Sequence, residues 1–309
     1  MSRKNTTNKP KSIKYNKQFN MLEFLNKAST YERRIEVPIE SDIDGDKATL
    51  IIKSNALDTN ALDALLIILH LCTLKDSRLH INRKYSSDEC KKIYNKLMPI
   101  SGHPDKDLDT IAVRPDLADF IRLSGKSDSS STRLSFKKAL EDLSEISVKY
   151  YGECEIYTNL VTTVFNKNTN QYTSVIHPRI AASILGASAF QHFDLDSHLS
   201  LKRDKIAKLA NYYLLLNTSQ KNINEKSTRY EYFTVKLNTI LERIDHKFSD
   251  RNKFKSDESF KLYKNKMRSE FMSKKLPKLD SLGWIIEISK ASDGDYLFTF
   301  KRPERFKCL

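Results

Sequence analysis

Glycine is scarce in this 309-residue chain: there are seven, Gly45, Gly102, Gly125, Gly152, Gly186, Gly283 and Gly294. No two stand close enough to form a G-x-x-x-x-G-K-[ST] phosphate loop or a G-x-G-x-x-G dinucleotide turn, which excludes nucleotide hydrolysis by a P-loop. Cysteine is scarcer still. Cys72, Cys90, Cys154 and Cys308 are too scattered for a C-x-x-C zinc pair, and no H-E-x-x-H occurs. Reduced core thiols in a reducing compartment are the expectation. Long apolar runs are also missing, since Leu65 to Cys72 falls far short of the roughly 18 to 20 residues a bilayer span needs. With no signal-peptide stretch at the polar N-terminus, the expected location is the cytoplasm, with no membrane partner.

The chemistry that remains is thin. A rolling-circle nuclease needs a His-hydrophobic-His metal pair, and none of the seven histidines is so spaced. His80-Ile-Asn-Arg83 matches the His-x-x-Arg of tyrosine recombinases only formally, with no further arginine partners around it. The acidic pairs Asp42/Asp44 and Asp194/Asp196 read as turn caps, because a two-metal nuclease needs three or four converging carboxylates. No catalytic residue, metal, cofactor or small-molecule substrate is therefore expected.

What the chain does have is positive charge. Lys and Arg number 53 against 39 Asp and Glu, a net charge of +14, with 39% apolar and 10% aromatic residues to build a core. The distribution is uneven: +7 over 1–34, −4 over 35–200 and +11 over 201–309. Two basic regions flanking a near-neutral block attract a polyanion, and nucleic acid is the usual one.

Four segments are expected from composition shifts: a basic, partly disordered tail (1–34), an N-terminal domain (35–177), a connector (178–195) and a C-terminal domain (196–309). The β-rich runs 35–40 and 47–53, joined through Asp44-Gly45, predict a hairpin. Thr59 is expected to cap an amphipathic helix over 60–74, with a second, short helix over 87–97. A short strand (110–113), a helix opened by Pro115 and ended by Gly125, and a helix over 131–143 follow. Strands over 146–151, 155–165 and 172–176 complete the plan of a winged helix. A helix over 200–216, a second over 234–244, a long basic third over 257–276 and a hairpin over 284–289 and 295–300 repeat it. The expected fold is thus α+β, two tandem winged-helix domains each with a β-hairpin wing, preceded by a β-hairpin.

In a winged helix the third helix enters the major groove. On the first candidate, Thr132, Phe136, Ala139, Leu140 and Leu143 share the core face, while Arg133, Lys137 and Lys138 lie outside it and Lys167 sits in the wing. On the second, Phe260, Tyr263, Met267 and Phe271 form a stripe about 80° wide. Beside it, Lys261, Lys264, Arg268 and Lys275 fall within about 60° of each other at 100° per residue. A single-sign stripe repels itself unless a polyanion neutralises it. These cations and Asn265 are the expected DNA contacts.

Ile176-His-Pro-Arg-Ile-Ala-Ala-Ser-Ile-Leu-Gly186, Gln191-His-Phe-Asp-Leu-Asp196 and Ala207-Lys-Leu-Ala210 resemble the middle of the replication protein C family, the iteron-binding initiators of IncQ-type plasmids. Leu276-Pro-Lys-Leu-Asp-Ser-Leu-Gly-Trp284, Gly294-Asp-Tyr296 and Lys301-Arg-Pro303 are similar to that family's closing helix and wing. The likeness covers most of 35–303; the chain departs from it by a longer insertion at 217–230. It implies a protein without catalytic residues that binds directly repeated sites in double-stranded plasmid DNA. There it would help open an A·T-rich region for a replicative helicase and primase. The alternatives are a two-module transcription regulator on the same fold and, more remotely, a DNA nicking or strand-transfer enzyme.

Overall fold

The computed structural model describes residues 12–15, 21, 25, 35–43, 46–54, 57–81, 88, 109–151, 156–167, 171–186, 191–218 and 232–303. The expected helix over 87–97, apart from helical Asp88, the Asp44-Gly45 turn and nearly all of the 217–230 insertion lie outside the described residues. Within the tail, where composition argued for disorder, Ser12–Tyr15 forms a strand, β1.

A leading hairpin joins β2 (Ile35–Ile43) to β3 (Asp46–Ser54), with Ile39 opposite Leu50. The first winged helix then runs through α1 (Thr59–Thr73), β4 (Arg78–Ile81), β5 (Thr110–Val113), α2 (Leu117–Ser124) and α3 (Ser130–Ser144). Next come β6 (Ser147–Tyr151), β7 (Ile156–Asn159), β8 (Val161–Asn166) and β9 (Gln171–Ile176). The linking segment holds α4 (Pro178–Leu185) and β10 (Gln191–Asp194), which pairs with β1. The second winged helix comprises α5 (Leu195–Ser200), α6 (Lys205–Asn217), β11 (Tyr232–Lys236), α7 (Leu237–Ile244) and α8 (Asp257–Glu270). From α8 a π-turn, Phe271–Lys275, leads into α9 (Leu276–Ser281), and β12 (Ile285–Lys290) and β13 (Tyr296–Lys301) close the chain.

The antiparallel sheets separate wing from scaffold. In the order β4-β5-β9-β8, the hairpin β8/β9 is the first wing; in β2-β3-β6-β7, the hairpin β6/β7 extends the leading hairpin; β11-β13-β12 carries the second wing. The single strand expected over 155–165 is therefore two strands in different sheets. Leu160 makes the crossing: its side chain is fully buried, its N–H donates to the Ile146 carbonyl at 2.9 Å, and its carbonyl accepts from the His177 N–H at 2.9 Å. Both backbone groups stay satisfied while the chain changes sheet.

Other departures have equally local causes. Asp58, not Thr59, caps α1, because its carboxylate accepts from the N–H groups of Asn60 and Ala61. That helix is buried on every side from Ala61 to Cys72, packing against α2, α3, α4, α5, β1 and β5, so it is the central rod of the fold and not an amphipathic surface helix. The helix expected over 200–216 is broken at Leu201–Asp204, where Lys202 takes a left-handed φ of 49° and Asp204 caps α6. Residues 234–236, expected in a helix, belong to β11: β-branched Thr234 and Val235 lie opposite Thr299 and Phe298.

One continuous apolar core runs from Met21 and the central helix to Phe298 and Phe300, so the modules share a packed junction. Met21 is tied in by its N–H, which donates to the Tyr212 hydroxyl at 3.1 Å. At the junction Lys208 of α6 reaches both oxygens of Asp63 on α1, at 2.6 and 2.7 Å. His198 Nε2 of α5 lies 3.4 Å, and Lys126 Nζ 3.5 Å, from the same carboxylate.

Burial holds the His198 imidazole below its ordinary pKa. The unfolded chain takes up this proton at about pH 6.5 and the folded chain resists it, so stability is full above that value and lost as the pH falls through it. Denaturant midpoints are expected to drop from about pH 7.5 to about 5.5, and His198→Gln should shrink the drop. An identical pH slope in the variant would assign the effect to other groups.

Candidate nucleic-acid interface

Each winged helix presents α3 or α8 on its surface, and the local sequence fixes where each begins. Ser129 caps α3 by accepting from the Thr132 N–H, and Ser256 caps α8 in a reciprocal box with Ser259. Phe136, Ala139, Leu140 and Leu143 anchor α3, each 1% exposed or less. Lys126 lies over the Phe136 ring at 4.8 Å, so the residue at the junction carboxylate also touches the base of α3.

On α3, Lys137 and Lys138 are exposed as expected. Arg133 is exposed too, but its Nε and Nη2 each donate at 2.7 Å to a different oxygen of Asp128, and this pairing lowers the pKa of the carboxyl. A base or phosphate must replace Asp128 before Arg133 can read it. Lys167 is exposed at the end of β8, beside the exposed Val164 and Phe165.

The second helix departs from the expected arrangement. Arg268 donates to Asn238 at 2.9 Å and lies 3.0 Å from buried Asp295, while Lys275 is 3.1 Å from both Asp204 and Glu270. Lys264 sits 4.5 Å over the Phe248 ring and 5.4 Å over Phe260. The stripe is therefore compensated from within, and the premise that it needs a polyanion to be stable does not hold. Three of its four members are engaged this way: Lys264 by the rings of Phe248 and Phe260, Arg268 by Asn238 and Asp295, and Lys275 by Asp204 and Glu270. Lys261 and Asn265 lie on the outer face.

Lys266, which the helical-wheel reading passed over, is exposed on that outer face as well. The signal that could have found it is angular: it stands about 100° from the middle of the aromatic stripe, at 100° per residue, on the flank opposite the cationic stripe. Between the π-turn and β13, Arg268, Ser269, Met272, Ser273 and Tyr296 line an open cleft of about 450 Å³. Asp295 ties the wing to α7 by accepting from the Asn238 N–H at 3.1 Å, so helix and wing are held as one unit.

No family model matches the chain, and no curated protein matches it. Solved structures it is similar to include two of domains 2 and 3 of RctB. They are 12% identical to it, with TM-scores of 0.46 and 0.45, covering 93% and 91% of this chain and 98% and 96% of those chains. No helix among the described residues is long and apolar enough to cross a membrane.

The surface is chemically suited to a polyanion. Exposed ammonium groups on helices standing proud of a rigid core offer phosphate contacts, and polar outer faces offer base contacts. The Asp63–Lys208 pair joins α1, against which α3 packs, to α6 of the second module.

Proposed function

We propose that this chain is a DNA replication initiator that binds double-stranded DNA through two winged-helix modules in tandem. The observation that carries the DNA-binding reading is the pair of outer helix faces, with Lys137 and Lys138 on α3 and Lys261 and Lys266 on α8. The resemblance to the replication protein C family supports the finer reading: directly repeated sites at a plasmid origin, and opening of an A·T-rich region for a helicase and primase. No step in this reading requires a catalytic residue, metal or cofactor.

The test is binding followed by strand opening. The chain is incubated with duplexes of random sequence, the enriched sites are cloned in supercoiled DNA beside an A·T-rich tract, and unpaired thymines are mapped with permanganate. Permanganate reactivity in the tract that depends on the chain is the expected result. Binding without reactivity would favour a transcription regulator, and relaxation of the supercoiled DNA in Mg²⁺ by nicking would favour an enzyme.

A further inference from the structure

The two most exposed large apolar side chains among the described residues are Leu262, at 72%, and Leu134, at 68%. A single exposed leucine on a helix is ordinary. These two, however, occupy the same place on the two helices already singled out. Aligned on them, α3 reads Ser131-Thr-Arg-Leu134-Ser-Phe-Lys137-Lys138 and α8 reads Ser259-Phe-Lys-Leu262-Tyr-Lys-Asn265-Lys266. Each leucine has a serine three residues before it, a cation immediately before it, a polar residue three after and a lysine four after.

The same alignment matches part of the core-facing sides, although buried Phe136 and Leu140 of α3 stand where α8 has the half-buried Lys264 and Arg268. Five residues after each leucine stand Ala139 and Met267, and nine after stand Leu143 and Phe271; three of the four are at most 1% exposed and Met267 is half-buried against the same core. At 100° per residue each leucine stands about 140° to 180° round its helix from these two matched residues, on the side away from the core. Helix propensity explains a leucine on a surface but not its recurrence with the same neighbours on both outward faces.

An apolar side chain at the centre of a cationic face has one methyl to match in the major groove, the 5-methyl of thymine; the other edges are donors and acceptors, with only the smaller C5–H of cytosine as an apolar group. We propose that Leu134 and Leu262 each read a thymine methyl, one in each half of the bound site, with Lys138 and Lys266 on the flanking phosphates. This rests on the DNA-binding reading and goes beyond it in assigning a base: the two half-sites share a thymine in the same setting, as direct repeats of related sequence.

The test uses the full chain. It is selected against duplexes with a randomised core of about 30 base pairs, room for two half-sites one or two helical turns apart. Each thymine of an enriched site is then replaced in turn by deoxyuridine, which removes the methyl and keeps the pairing. One position per half-site should lose about three- to fivefold in affinity, the worth of one buried methyl. Leu134→Ala should abolish that discrimination in one half-site and Leu262→Ala in the other, and folding should be unaffected because both side chains are exposed. Equal affinity for thymine and uracil at every position would overturn the proposal. So would discrimination that survives both substitutions, or a change in the chain's sedimentation mass on substitution with discrimination intact, which would make the leucines a self-association patch. If no duplex were enriched at all, the DNA-binding reading itself would fall.

Discussion

Replacing Asp63 by Ala is expected to remove about 3 to 5 kcal/mol of unfolding free energy, the cost of leaving a buried charge without its partner. Asp63 is 1% exposed and Lys208 2% exposed, and the ammonium contacts both carboxylate oxygens. Burial alone pushes the Asp63 carboxyl up, but nearby His198 and the charge of Lys208 outweigh it and hold it below the ordinary range. Lys208 is held below its own ordinary value, chiefly by burial. Without Asp63 the amine should release its proton more readily still, so the deficit of the variant should narrow as the pH rises above neutrality: the unfolded chain then binds the extra proton, and stability increases with pH. Asp63→Leu combined with Lys208→Met should recover most of the loss, since an apolar pair of similar volume carries no desolvation cost. Guanidinium titrations followed by circular dichroism measure both variants. A loss below about 1 kcal/mol for Asp63→Ala would show that the pair is solvated and does not fasten the modules.

The second large effect concerns DNA affinity. Alanine at Lys137, Lys138, Lys261 and Lys266 together should lower the slope of log affinity against log salt by up to about 0.9 per phosphate contact removed. Near physiological salt each such contact contributes up to about fivefold, so the quadruple variant should bind roughly ten to several hundred times more weakly if two to four of the lysines meet phosphates. Arg268→Ala and Lys275→Ala should behave differently. The first leaves buried Asp295 without its guanidinium, and the second removes one of the two lysines on Asp204 and the partner of Glu270, so the effect expected is lower stability, larger for Arg268→Ala, with little change in salt slope. Fluorescence anisotropy across a salt series, beside denaturation of the same proteins, separates the two. If Arg268→Ala flattened the slope while the four lysines did not, the interface would lie in the cleft beside Tyr296 and not on the outer helix faces.

Much of the architecture was legible because it is local. Gly125 ended its helix as expected, with φ of 65°, and Gly186 closes α4 in the same way at 83°, where glycine takes the left-handed conformation at least cost. The β-rich runs 35–40 and 47–53 gave the leading hairpin, and 3.6-residue periodicity placed Phe136, Ala139, Leu140 and Leu143 on the buried side of α3. Periodicity failed where burial is not one-sided. The central helix, apolar and enclosed all round, shows no clear face, and the strand crossing at Leu160 depends on which sheets flank it, which no window of sequence contains.

For the candidate interface the division is sharper. The sequence by itself determined the excess of positive charge, its division between 1–34 and 201–309, the absence of nucleotide and zinc motifs, and the two helices that precede hairpins. The tertiary structure decided which cations on those helices are available. Lys264, Arg268 and Lys275 were as basic on paper as Lys261 and Lys266, yet an aromatic pair and the carboxylates of Asp295, Asp204 and Glu270 hold them. Those carboxylates lie up to 71 residues away in the chain, as from Lys275 to Asp204. A charge is assigned to solvent or to a partner by what the fold brings within a few ångströms, and Coulomb attraction at that range is blind to sequence distance.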